Sequence, residues 1–467
     1  MEDDRITPYE LTKLAKKFEA DRKTRTFDYY EPRILHELIG HYLEEGNPEY
    51  AIEICEIGMD QHPFETSFYG QAAELLNNSK RVRSAMEIIE KALSIEPGHS
   101  EHLMLKAQIL ESMRKPIEAE ELYDRVVENG GDIDEVRIRK ANNCINLGEP
   151  ERGVELIREI FSKKINSEHL FYEALMYLEL INRLEAGIEM LEGYLDEDPY
   201  SATGWCGLGH IYNETGDPEK AIWAYDFAIA IDENYADAYL QKGYCYTELG
   251  DYENAAESFN EYLRLDAPDP LSYTNMADCY RMMKQFDKAE ETYRKALEID
   301  PHYSEAWFGL GLAASGVKNH KEAAEFYKRA HELEPADDLC LLQLIDSYKK
   351  LGYWAQAEKL LAKMLKTRTE YQHAYVWLAS AQAQQGKYEV ALATLEKWLD
   401  KRPEDEQIWY QKAAYLYLQG DEKKGLDSLC HALLLNPETV ETFFEFAPGF
   451  KEHEKVKQMI DLYSNEL

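Results

Sequence analysis

The stretch ATGWCGLGHIYNETGDPEKAIWAYDFAIAIDENY, residues 202–235, holds two helical stripes separated by a single break. Trp205, Leu208 and Tyr212 recur at spacings of three and four, which places them on one face of a helix. Gly216-Asp217-Pro218 interrupts the pattern, and Ala221, Ala224, Tyr225 and Ala228 resume it. A glycine followed closely by a proline ends one helix and begins another. The same layout returns every 34 residues, with starts at Pro32, Thr66, Ser100, Asp134, Glu168, Ala202, Ala236, Pro270, Ser304, Asp338, Gln372 and Glu406. Twelve units thus run from 32 to 439 without insertion or deletion.

The twentieth residue of each unit sets the register. It reads Ala51, Ala85, Ala119, Gly153, Gly187, Ala221, Ala255, Ala289, Ala323, Ala357, Ala391 and Gly425. Alanine and glycine together make up roughly 15% of the chain, so twelve in twelve by chance is on the order of one in ten billion. Two helices that approach closely leave room for no more than a methyl group. The eighth residue is small in nine units, as at Ala73, Gly209, Gly243 and Gly311. The fourth is large and apolar in eleven (Arg137 excepted), the twenty-fourth is apolar in all twelve, and proline holds the thirty-second place in seven. Fixed columns of small against large residues predict paired helices that interlock. Each helix spans about 14 residues, a length that is marginal alone and gains its stability from stacked neighbours.

Trp205-x-x-Leu208-Gly209-x-x-Tyr212 with Ala221-x-x-x-Tyr225 resembles the tetratricopeptide repeat signature. Trp307-x-x-Leu310-Gly311 with Ala323-x-x-x-Tyr327 and Pro335 resembles it too. Units 1–5 and unit 10 lack the tryptophan and keep mainly the small columns. The resemblance implies an all-α solenoid, an α-α superhelix of twelve helix pairs. Residues 1–31 and 440–467 are expected to cap its ends. Thr7-Pro-Tyr-Glu10 has the form of a capping box opening a helix over 7–22. Residues 440–446 look like one more first helix, and Val456, Met459, Ile460 and Tyr463 predict a final amphipathic helix after Pro448-Gly449.

Nothing in the chain suggests catalysis. The segments outside the array are too short for an independent catalytic domain. His36-Glu37-Leu-Ile-Gly-His41 has one residue too many for a zincin motif, and five helical steps set the two imidazoles about 140° apart. Gly309 and Gly311 lie inside a predicted helix with no preceding strand, so they are not a nucleotide loop. The seven cysteines form no Cys-x-x-Cys pair, which suits buried reduced thiols. The reading is therefore a non-enzyme with no cofactor and no metal. An acidic amino terminus and the lack of a long apolar run predict a cytoplasmic protein without a membrane span. The net charge of -37 argues against nucleic acid and for a protein partner with basic segments.

In the family this chain resembles, the first helices of the pairs line a concave groove. By that resemblance the groove residues are the second, fifth, sixth, ninth, twelfth and thirteenth of each unit. These columns hold 14 acidic and 5 basic residues here. Family members that bind chaperone tails use a lysine at the fifth place, and no unit has one. Asn77, Asn78, Asn142 and Asn146 could hydrogen-bond a peptide backbone near the amino-terminal end. The site expected for a peptide or helix lies in units 8–12 and comprises Arg281, Phe308, Leu312, Leu342, Lys349, Val376, Trp377, Tyr410 and Tyr417. Aromatic residues dominate such hot spots because they bury much area at little entropic cost.

Overall fold

A computed structural model describes residues 7–24, 26–162 and 167–464. Every regular element among them is a helix, and no strand occurs. The chain opens with a helix at Pro8–Thr24 and continues as twelve helix pairs, from Pro32–Glu44 with Pro48–Gln61 to Glu406–Gln419 with Glu422–Leu435. Two short helices, Glu441–Phe446 and Glu454–Ser464, close it. This is the all-α solenoid of tandem pairs that the 34-residue period predicts. The chain divides into two compact units, 1–238 and 239–467, and the division falls within the helix Ala236–Glu248.

The columns explain the packing. All nine alanines of the twentieth column have no exposed surface. Gly153 stands where a Cβ would collide with the hydroxyl of Tyr177, so glycine is required where the next repeat brings in a tyrosine. The eighth-column glycines face the large twenty-fourth-column ring of their own repeat: a Cβ on Gly209 would lie 2.6 Å from Tyr225, and one on Gly311 would lie 2.4 Å from Tyr327 in its place. The fourth-column tryptophans share one bond. Trp205, Trp307 and Trp409 each donate the indole N–H to the carbonyl of the proline six residues earlier, at 2.9, 3.0 and 2.8 Å.

One column escapes the sequence reading. The fifteenth residue has a positive φ in all twelve repeats: Gly46, Lys80, Arg114, Gly148, Asn182, Gly216, Gly250, Lys284, Lys318, Gly352, Gly386 and Gly420. The amide of the next residue then bonds back to the carbonyl five residues earlier, as from Asp217 to Tyr212 at 2.9 Å and from Asn319 to Ala314 at 2.9 Å. This is the Schellman close of a helix, which satisfies an orphan carbonyl and turns the chain sharply. Side chains at the next helix start complete the turn, as when Asp217 accepts from the amide of Lys220.

The ends are sealed by the same physics. The Thr7 amide donates to Glu10 at 3.0 Å and the Glu10 amide donates to the Thr7 hydroxyl at 3.3 Å, the reciprocal pair of a capping box. Ala15 and Phe18 of that helix are buried against the first repeat with Leu35, Leu38 and Tyr42. At the carboxyl end Phe443, Ala447 and Val456 are buried against Tyr410, Tyr417 and Leu429.

Candidate interaction surface

Within each unit the first helices of successive pairs touch one another, as Thr66–Asn78 does Ser100–Ser112 and Pro270–Met282 does Ser304–Gly316. They form a wall whose fifth column is spent largely on this packing. Met104, Ile138, Cys206, Thr274 and Tyr410 are buried there, and Phe308, Leu342 and Val376 are half-buried. Aliphatic and aromatic side chains that stack one repeat on the next lose most of their water in doing so. The free surface of the wall lies instead at the second and thirteenth places.

In the second unit the expected residues separate into four groups. Phe308 and Leu312 lean on the core around Tyr327 and Leu344, with the rings of Phe308 and Tyr327 5.6 Å apart. Leu342 and Trp377 are half-buried together against Leu341, Ile345 and Leu378, and Val376 rests against the neighbouring cluster. The ammonium of Lys349 sits 4.8 Å above the Trp377 ring, so two consecutive repeats place a cation on an aromatic face. Arg281 is committed within its own helix, its guanidinium 2.7 Å from Asp278, whose carboxylate also accepts from the Tyr293 hydroxyl at 2.7 Å. Exposed Leu271, Met282 and Leu339, which the sequence reading did not single out, add apolar surface to the same helices.

Tyr410 and Tyr417 do not line this wall. Tyr410 is fully buried and donates its hydroxyl to the carbonyl of Asn436 at 2.7 Å. Tyr417 lies under the closing segment, with its ring 5.7 Å from Phe443 and 5.0 Å from Phe450. The closing segment covers Tyr417, so this wall residue of the last repeat becomes core. Burial pushes the phenol of Tyr417 up to about 12, in keeping with that place.

The wall of the first unit is acidic and better paired. Arg139 faces Glu173 at 3.4 Å, and His210 meets Glu179 at 2.7 Å. A hollow of about 610 Å³ opens beside Gly70, Gln71, Glu74, Glu101 and His102. Of the four asparagines, Asn78 and Asn146 are exposed, whereas the side-chain oxygen of Asn77 is buried without a hydrogen-bond partner. Met176 and Leu180, one turn apart on Glu168–Leu180 at the ninth and thirteenth places, are 64% and 72% exposed, a pair of apolar wall side chains not singled out from the sequence. His36 stacks on Phe68 at 4.4 Å, while His41 turns to Glu45 at 3.4 Å.

Away from the wall, Trp205, Trp223 and Phe227 make an aromatic cluster. The Trp205 and Phe227 rings stack at 4.6 Å, and Trp223 meets each edge-on at 5.4 and 4.8 Å. Trp223 is 50% and Phe227 40% exposed. Their spacing of four on the second helix of the repeat was a legible signal.

The seven cysteines form no disulfide, and six are buried. Burial pushes the thiols of Cys55, Cys206, Cys245 and Cys340 up to about 12, and that of Cys279 to about 11. Such thiols hold their protons and are not activated nucleophiles. No helix among the described residues is long and apolar enough to cross a membrane.

Comparison with known proteins fits this architecture. Residues 174–414, which are 241 of the 467, match the family described as cilia and flagella-associated protein 70 C-terminal domain. Residues 66–99 match the family described as tetratricopeptide repeat. The chain is similar to protein O-mannosyl-transferase TMTC3 of Homo sapiens, with 27% identity over 171 residues, 34% of this chain and 18% of that protein. The match thus takes in less than a fifth of that relative's length. Among solved structures, MamA shares 25% identity over 34% of this chain and 92% of its own, with a TM-score of 0.33. The C-terminal part of a TPR repeat-containing protein from Cytophaga hutchinsonii shares 19% identity over 52% of this chain and 99% of its own, with a TM-score of 0.42. YrrB, described as a TPR protein with an unusual peptide-binding site, shares 19% identity over 40% and 96%, with a TM-score of 0.35.

Proposed function

The chain belongs to the tetratricopeptide-repeat family, in the group described by the C-terminal domain of cilia and flagella-associated protein 70; from that premise we propose that it is a non-catalytic adaptor. It holds an extended or helical segment of a protein partner against the first helices of repeats 8–11. The observation that carries this reading is the apolar content of those helices: Leu271, Phe308, Leu312, Leu339, Leu342, Val376 and Trp377 all keep exposed or half-exposed surface. A wall of this kind recognises apolar anchors at helical or strand spacing. Lys349 over Trp377 supplies a cation that can meet a carboxylate on the partner, while the net charge of -37 draws in basic flanks and repels nucleic acid. Buried cysteines that form no disulfide suit a reducing cytoplasm. The test is affinity capture with mass spectrometry, comparing the wild type with Phe308→Ala/Trp377→Ala. Loss of a partner by a variant that still unfolds in one cooperative transition supports the wall; full capture by the variant removes it.

A second reading, an assembly role in a larger complex, rests on the Trp205–Trp223–Phe227 cluster, which places apolar surface outside the wall. Light scattering of Trp223→Ala/Phe227→Ala decides it. A fall in mass relative to the wild type supports assembly through this face, and an equal mass points back to the wall.

A further inference from the structure

Between the second and third repeats three metal-ligating side chains converge. Glu96 closes the helix Val82–Ile95, His99 caps the helix Ser100–Ser112, and His102 is the third residue of that helix. Each offers a donor atom, and all three atoms lie within 4.8 Å of one another. The carboxylate of Glu96 accepts from the Thr66 hydroxyl at 2.8 Å and stands 4.0 Å from Nε2 of His99. The imidazoles of His99 and His102 stack with centroids 3.9 Å apart. His102 is only 5% exposed, and its Nδ1 is buried with no hydrogen-bond partner. Opposite it stands Gly70, where a Cβ would come within 3.0 Å of Nε2.

Helix capping alone accounts poorly for this arrangement. The His99 ring accepts from the His102 amide at 3.4 Å, a long bond at a place where serine, aspartate or asparagine serves better. It also leaves the buried nitrogen of His102 unexplained, since buried polar atoms in folded chains are ordinarily paired.

We propose that Glu96, His99 and His102 form a binding site for a zinc-type divalent transition ion. Two imidazoles and one carboxylate suit a borderline cation rather than calcium or magnesium, which prefer all-oxygen cages. Zinc takes nitrogen and oxygen donors at about 2.0–2.2 Å. The present separations therefore close by rotation of Glu96 and His99, whose side chains are 49% and 35% exposed. His99 exchanges its long capping bond for a coordinate bond. The Thr66 hydroxyl orients the carboxylate from outside, as second-layer partners of metal ligands do. Three protein ligands leave one tetrahedral position for water or for a group from a partner. The ion would tie the end of repeat 2 to the start of repeat 3.

The experiment is calorimetric titration of the untagged, chelator-stripped full chain with Zn²⁺, beside His99→Ala and Glu96→Gln. The expected result is one ion per chain in the wild type and at least about tenfold weaker binding in both variants, with a zinc-dependent rise in melting temperature only in the wild type. Glu96→Gln keeps both the His99 cap and an oxygen for Thr66, so it decides the matter if His99→Ala weakens the fold. Equal affinity in the wild type and Glu96→Gln, or no one-to-one event in the wild type, overturns the proposal.

Discussion

Lys349 and Tyr417 hold the same twelfth place in their repeats, yet only Lys349 reaches the surface. Repeat 10 has another repeat beyond it, whereas repeat 12 has the closing helices, which fold Phe443 and Phe450 over Tyr417. Column number fixes the direction in which a side chain leaves its helix. What lies beyond the helix decides whether that side chain stays wet. The twelfth place of the last repeat becomes a core position because the closing segment covers it.

The largest test of this contrast is truncation of the rings. Tyr417→Ala should cost about 3–5 kcal/mol in denaturant unfolding, as buried aromatic deletions do. Phe308→Ala, at a half-buried wall place, should cost about 1–2 kcal/mol. Equal costs would break the distinction between a capped and an open wall. The twentieth column is buried in terminal and central repeats alike, so it should show no such contrast. Ala255→Leu and Ala391→Leu should each overpack a helix crossing by about 1–3 kcal/mol. A melting curve unchanged in both would mean that the small column has another cause. A gain is expected at the turns: Lys284→Gly and Lys318→Gly relieve a left-handed backbone and should each stabilise by up to about 1 kcal/mol. The matching change at Gly250 to Lys should lose a similar amount, and a loss at Lys318→Gly would show that its side chain does more than fill the turn. The smallest effect belongs to Lys349→Ala, which removes a cation over Trp377 and should cost about 0.5 kcal/mol while shifting the fluorescence of that ring.

Most of the fold was legible because its determinants are steric and recur in register. Ala51, Gly153 and Gly425 sit where two helices meet, and nothing larger fits in any repeat. The left-handed fifteenth column stayed hidden because Lys80, Arg114, Lys284 and Lys318 interrupt its glycines and asparagine. A non-glycine residue meets that backbone at a modest strain that neighbouring hydrogen bonds offset, so residue type alone does not announce the conformation. The candidate wall was half legible. Phe308, Leu312, Leu342, Val376 and Trp377 do lie on it, but Tyr410 and Tyr417 went to the core through contacts with residues far along the chain. Glu96, His99 and His102 were missed because the proline and glycine between them read as an ordinary turn, and only the fold shows their donors converging.

The uniform fifteenth-column turn also bears on how such a chain lengthens and shortens over generations. Because each repeat closes its first helix with a residue in the same left-handed conformation and with the same backward hydrogen bond, a cut and its counterpart 34 residues on present backbone ends of the same form. An in-frame loss of codons 304–337 would join Tyr303 to Asp338 with every later column still in phase. A loss one codon shorter would put a side chain of the wrong size into every close crossing at the junction. Genetic drift in copy number is therefore tolerated in whole steps and purged in fractions, and a run of twelve equal units is the kind of record that such a filter leaves.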